Sequence, residues 1–162
     1  MERVHCLIAS PVYRDYLKLI GEKEAARIFC KHDFAHSLDV ARLCWIFLLE
    51  NGAGYTRDLV YGAALLHDIG RWMEYNGKGC HASRGAQLAE PLLVRAGYDL
   101  AERKLITDAI AEHRKKEHEV FASSLSYYLR KADKNSRLCY DCSARGDCYK
   151  QDEMPQSRQL LY

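Results

Sequence analysis

The chain has no hydrophobic run long enough to cross a bilayer, no block of one charge sign, and no lasting apolar–polar alternation of the strand type. The first absence removes a membrane span. The second removes the strongly basic profile of a nucleic-acid coat or membrane-surface protein, since 24 Lys and Arg are interspersed with 22 Asp and Glu for a formal net charge of +2. The third leaves helices. Residues 1–10 hold a charged pair and a short apolar run interrupted by His5, too short for a signal peptide, so the cytoplasm is the expected location. In that reducing compartment the 7 cysteines, an odd number, are not read as a disulfide framework. No repeat, low-complexity run or linker divides the 162 residues, and 48% hydrophobic content suffices for the core of one domain.

Helical periodicity and its punctuation organise what is there. Ser10-Pro11 places an N-cap before proline at the first helical position, with Tyr13, Tyr16, Leu17 and Ile20 as an apolar face. A second short helix is expected over residues 22–30. A third begins near Asp33, carries His36, Val40, Leu43, Ile46 and Phe47, and stops at Asn51-Gly52. Thr56 caps a fourth, which delivers Leu59, Ala63 and Leu66 to the core and His67-Asp68 to its end; Gly70 is expected to stop it as a left-handed residue. Residues 71–80, with Gly77 and Gly79, read as a loop over that end. A helix from His81 is expected to kink or break at Pro91. Another starts at Asp99 and Glu102 and runs through Leu105, Ile106, Ala109 and Ile110 to His113. After a charged connection, Ser123 or Ser124 opens a helix through Leu125, Tyr128, Leu129 and Ala132 to Asp133. Residues 1–137 therefore read as the functional domain, and residues 138–162 as a cysteine-bearing tail packed on it.

His67-Asp68 carries the most information. A buried ionisable pair at the end of the apolar stretch 59–66 is costly unless a cation compensates it. His36, His67, Asp68 and Asp133 supply two nitrogens and two oxygens from three helices. That set suits a hydrolytic divalent cation such as iron or manganese, with positions left for water and substrate. For any one histidine the blander reading is a satisfied polar residue, but for all four residues it needs four coincidences.

With His81 and His113 lying between the pair and Asp133, the constellation resembles the HD-domain metal-dependent phosphohydrolase superfamily over about residues 29–137. The resemblance implies an all-α, HD-domain-like orthogonal helical bundle. It also implies hydrolysis, by metal-activated water, of a phosphate ester or anhydride in a nucleotide or related small phosphorylated molecule. It favours His36 over His32 as the first ligand, because His36-Ser37-Leu38-Asp39-Val40 fits the superfamily pattern; His32 becomes a helix-start or supporting residue. In two-metal members, histidines placed as His81 and His113 are hold a second ion, with the pair's aspartate bridging. Some members carry consecutive histidines where this chain has His113-Arg114, so one or two ions remain open, His81 and His113 otherwise serving the substrate phosphate or proton transfer. Asp68 would position or share the water. Arg71 and Lys134, and behind them Arg137, closely follow metal ligands, where their charge can reach non-reacting phosphate oxygens. A nucleic-acid polymer is not the expected partner, and a homo-oligomer is compatible with the reading. Two alternatives stand beside it: a di-iron oxygenase of the same superfamily, and a non-catalytic metal- or redox-sensing module built on the cysteine tail.

Cys139, Cys142 and Cys148 form a C-x2-C-x5-C arrangement, whose two-residue spacing lets thiolates face one soft cation, as in structural zinc or iron–sulfur sites. Cys30 is the favoured fourth ligand. It precedes His36 by six residues, as Cys139 follows Asp133 by six, which sets both at one height if His36 and Asp133 meet. Cys6, Cys80 and His118 remain alternatives. Cys44 reads as a buried small hydrophobe, and Tyr75 as a candidate for stacking on a nucleotide.

Overall fold

Side-chain capping sets the starts of three helices. The structure, a computed structural model, describes residues 1–157 and Leu160; residues 158, 159, 161 and 162 of the tail expected over 138–162 lie outside the described residues. Among the described residues there are eight α-helices, four single-turn 3-10 helices and no strand, as the expected all-α bundle requires. The helices are α1 (Glu2–Ala9), α2 (Pro11–Lys23), α3 (Phe34–Glu50), α4 (Arg57–Leu66), α5 (Arg71–Tyr75), α6 (His81–Arg95), α7 (Leu100–Glu112) and α8 (Ser124–Asn135). The Asp33 side chain accepts from His36 N at 2.9 Å to start α3. Asp99 and Glu102 form a reciprocal capping box on α7, and Ser123 accepts from Ser126 N at 3.1 Å on α8. Thr56 occupies the N-cap of α4, but its hydroxyl donates to Asp58 Oδ1 at 2.8 Å instead of satisfying the helix.

Three expectations are corrected, and one segment without an assignment is placed. Residues 22–30 do not form a helix: α2 runs to Lys23, and Glu24 then turns inward, where its carboxylate accepts from His32 N at 2.8 Å. The short apolar run in residues 1–10 forms α1, with Val4 and Leu7 buried. The start of residues 71–80 is helical as α5, and a turn follows. The helix from His81 does not break at Pro91 but runs on to Arg95, with Ala89, Leu92 and Leu93 packed in the core on either side of the proline.

Gly70 works differently from the expectation as well. Its φ is −82°, so it supplies no left-handed turn. A Cβ there would stand 2.3 Å from the His81 carbonyl oxygen and 2.5 Å from Gly85 N. The glycine lets the end of α4 touch the start of α6. Gly52, with φ 65°, does supply the left-handed stop after α3.

The core lies between α3, α4, α7 and α8. Val40, Cys44 and Phe47 meet Val60, Ala63 and Leu66, with Ile106, Ile110, Leu125 and Leu129 closing the far side. Cys44 is a fully buried hydrophobe, as expected. Among the described residues no helix is long and apolar enough to cross a membrane. One consequence of the packing decides the rest. The C-terminal ends of α4, α7 and α8 converge with the N-terminal ends of α3 and α6, so three negative helix ends face one buried point.

Candidate metal centre

At that point His67 ends α4 and His113 ends α7, and both are held in the same way. His67 Nδ1 donates to the Ala64 carbonyl and His113 Nδ1 to the Ile110 carbonyl, each at 2.6 Å and three residues back. His81 opens α6, and its Nδ1 donates to Glu74 Oε2 at 2.5 Å. These bonds assign the proton to Nδ1 and turn each Nε2 inward, as for a metal-ligating imidazole.

Two groups of ligand atoms result, each with all members within 4.8 Å of one another: His36, His67, Asp68 and Asp133 in one, and Asp68, His81 and His113 in the other. Asp68 belongs to both. Its Oδ2 lies 3.1 Å from His67 Nε2 and 3.8 Å from His36 Nε2, while Oδ1 lies 3.2 Å from His81 Nε2 and 3.6 Å from His113 Nε2. Asp133 Oδ1 joins the first group, 3.1 Å from His36 Nε2 and 3.7 Å from His67 Nε2. The carboxylate of Asp68 is disposed as a bridge.

The donor set fits a divalent cation. His67 Nε2 and Asp68 Oδ2 are buried with no hydrogen-bond partner, an expensive state that a cation at their midst relieves. The charges agree. Burial raises the Asp68 carboxyl, but His67 and Arg71 overcome it and hold it well below the usual range; His36 and His67 do the same for Asp133. Burial pulls His67 down, yet Asp68 and Asp133 lift its pKa to about 10, whereas burial with Arg137 nearby takes His36 down to about 4. The two carboxylates thus demand positive charge, which a metal ion would supply in place of the His67 proton.

A cavity opens beside Asp133 and His32, and its rim is basic: Arg27, Arg71, Lys134 and Arg137 line it. Arg71 Nε donates to Asp68 Oδ1 at 3.0 Å. Arg137 Nη2 donates to His36 Nε2 at 2.8 Å, closer to the ligands than its secondary place in the sequence reading suggests. The Tyr75 hydroxyl donates to Glu24 Oε1 at 2.5 Å. Two carboxylate partners of the histidines escape the sequence reading. Glu74 orients His81, and Glu24 binds His32 Nδ1, whose Nε2 then faces Asp68 Oδ2 at 4.0 Å. Burial raises the Glu24 carboxyl, but the bonds from His32 and Tyr75 bring it down to about 2.

The tail cysteines gather around a neighbouring cavity lined by Cys30, Cys139, Cys142 and Cys148 together with Phe29 and Met154. All four are half-buried free thiols, and burial raises the Cys139 thiol with Cys30, Cys148 and Cys142 adding to the effect. Among the described residues the groups of three or more ligand atoms within 4.8 Å of one another contain His and Asp, and no three of the cysteines lie that close. Cys6 lies against the Arg95 carbonyl and Cys80 near Arg114, so neither shares that cavity.

The family model of the HD domain matches residues 33–144. An uncharacterized protein of Clostridium beijerinckii is 36% identical over 153 residues, covering 94% of this chain and 95% of its own. Ribonuclease Y of Oleidesulfovibrio alaskensis is 34% identical over 102 residues, 63% of this chain and 18% of its own length. Ribonuclease Y of Geotalea uraniireducens is 32% identical over 122 residues, 75% of this chain and 21% of its own. The chain therefore spans about a fifth of the length of these ribonuclease Y relatives. No solved structure matches.

Proposed function

The chain belongs to the HD-domain family, and on that premise we propose that it hydrolyses a phosphate ester or anhydride of a nucleotide or related small phosphorylated molecule. The observation that carries the reading is Asp68, buried, facing one ligand group with each oxygen, its Oδ2 lacking a partner beside the equally bare His67 Nε2. His36, His67, Asp68 and Asp133 would hold one divalent ion, and Asp68, His81 and His113 a second. Bound there, such ions lower the pKa of water and neutralise phosphoryl charge.

The chain's own residues do the rest. Arg71, Lys134, Arg137 and Arg27 on the rim bind the non-reacting phosphate oxygens, Arg with its planar fork and Lys as a point charge. This basic rim supports a phosphorylated substrate. His32, held by Glu24 with Nε2 directed inward, is placed to exchange a proton with the leaving oxygen. Tyr149, exposed on the same rim and edge-on to Phe29 at 5.7 Å, offers a face for a base. The ribonuclease Y likeness adds phosphodiesters of ribonucleotides to the substrates worth screening.

The test is divalent-metal content and phosphate release across a panel of mono-, di- and polyphosphorylated nucleotides, for wild type beside Asp68→Ala. The expected result is loss of both iron- or manganese-class metal and turnover in the variant. An Asp68→Ala protein that keeps its metal and its turnover removes the hydrolase reading.

A further inference from the structure

We propose that Cys30, Cys139, Cys142 and Cys148 form a second metal site, a four-thiolate site for a soft centre, zinc or an iron–sulfur cluster, which clasps the tail onto the start of α3. Four of the 7 cysteines of the chain, drawn from both ends of the sequence, line one cavity as half-buried free thiols. Two 3-10 turns place the tail ligands. Cys139 opens the turn Cys139–Asp141, which Cys142 follows, and Cys148 follows the turn Arg145–Asp147. Of the remaining lining residues, Phe29 and Met154 supply apolar shielding of the kind that protects thiolate-bound centres from solvent, beside Arg145 and Gln151.

The tail needs such a fastening. Between residues 138 and 157 its regular structure is four single 3-10 turns, and its only described buried side chains are Ala144 and Gln156. So short a segment, with so little apolar burial, is the case in which a metal cross-link provides folding free energy. Ligand softness separates the two sites. Thiolates select zinc or iron–sulfur centres, whereas the imidazole and carboxylate groups of the first site suit harder ions.

The clasp also reaches the substrate rim, a link that rests on the phosphohydrolase reading. Arg137, two residues before Cys139, donates to the carbonyl of Lys31, the residue after Cys30, at 2.7 Å, and also to His36 Nε2. Cys30, Cys139 and Cys148 line the rim cavity as well as their own, next to Tyr149 and Lys150. Releasing the soft centre therefore frees one wall of the mouth and the arginine nearest the first ligand.

The experiment uses the full chain purified without oxygen. Zinc, iron and acid-labile sulfide are measured in wild type, Asp68→Ala, Cys142→Ser and Cys148→Ser, and alkylation of each cysteine is followed by mass spectrometry. The proposal expects a soft centre that Asp68→Ala keeps and both cysteine variants lose. Zinc alone identifies the mononuclear form, and iron with matching sulfide the cluster. In wild type it also expects the four thiols to resist alkylation until a chelator or denaturant is added, while exposed Cys6 and Cys80 react at once; this arm stands even if the variants fail to fold. Wild type without zinc or sulfide-matched iron, its four thiols reacting as fast as Cys6, overturns the site. So does a disulfide within the set, or zinc or sulfide-matched iron that stays in both Cys142→Ser and Cys148→Ser. Because Asp68→Ala reads the first site separately, failure of the hydrolase reading and failure of the clasp give different results.

Discussion

His81 Nε2 lies 3.0 Å from His113 Nε2, and in the neutral rings neither nitrogen has a proton to give. His81 spends its Nδ1 proton on Glu74 and His113 spends its own on the Ile110 carbonyl. Two lone pairs then face each other at a buried point, a repulsion that a proton or a metal cation between them removes. Asp68 Oδ1 stands 3.2 Å and 3.6 Å from the same two nitrogens, completing a three-ligand group. Replacing His81 by Ala is therefore expected to reduce bound divalent metal from two ions per chain to one and to lower turnover. Elemental analysis of dialysed protein, with circular dichroism as a check on the fold, reads this directly. Two ions retained at the His/Asp centre in His81→Ala, counted apart from zinc or sulfide-matched iron at the cysteines, would exclude this ligand group.

Glu74 acts on the metal through His81. Its Oε2 takes the His81 Nδ1 proton at 2.5 Å, and its Oε1 accepts from Arg114 at 2.8 Å. A carboxylate behind a ligating imidazole fixes the ring and raises its basicity, and loss of such a partner weakens metal binding by roughly 10–100-fold. Glu74→Gln is expected to weaken the second ion to that extent while the first ion and the melting temperature change little. Competitive metal titration measures it. An unchanged affinity would reduce Glu74 to a surface partner of Arg114.

His67, Asp68 and Asp133 are legible in the sequence because each sits near a helix end beside apolar residues, whereas choosing His36 over His32 takes the family resemblance as well. His81 and His113 follow from the same logic with the family resemblance added. Glu24 and Glu74 are not legible. Glu74 lies on α5, in residues that read as a loop, and Glu24 lies where periodicity suggested a helix that its own burial against His32 interrupts. Arg137 is half-legible: its place after Asp133 is plain, but its bond to His36 depends on the angle between α3 and α8. Gly70 shows the same limit, since a glycine after a helix usually signals a left-handed cap, whereas here it answers to backbone from α6.

That contact gives a measurable consequence. A methyl group at residue 70 would press on two backbone atoms of α6, the His81 carbonyl oxygen and Gly85 N, which cannot swing aside as a side chain would. Overpacking of this kind costs about 1–3 kcal/mol or more, and against backbone the upper end applies. For a chain of this size that is a fall in melting temperature of roughly 6–12 °C. Gly70→Ala should also weaken metal binding, because it pushes His81 away from Asp68. Gly21→Ala is the control: within α2, with nothing near its added Cβ, it should stabilise by roughly 0.5–1 kcal/mol. Equal melting temperatures for the two variants would contradict this account of Gly70.

Arg3 ties α1 to α4 and α7 away from the metal centre. Its Nε donates to Asp58 Oδ2 at 2.6 Å and its Nη2 to Glu102 Oε1 at 2.9 Å, with side chains about a fifth to a quarter exposed. Such partly shielded pairing lies between the surface and buried limits, so Arg3→Ala is expected to cost about 1–2 kcal/mol. The bond from Arg3 holds the Asp58 carboxyl below its usual 3.8, outweighing burial. A carboxyl whose folded pKa is depressed contributes stability that is complete above its unfolded value and vanishes as pH falls through the folded one. The gap between wild type and Arg3→Ala in urea unfolding should hold steady from about pH 8 to about pH 5, then shrink below roughly pH 4. A gap that stays constant down to about pH 3 would assign the stabilisation instead to the guanidinium lying 4.2 Å over the Tyr98 ring, a contact that carboxyl protonation leaves intact.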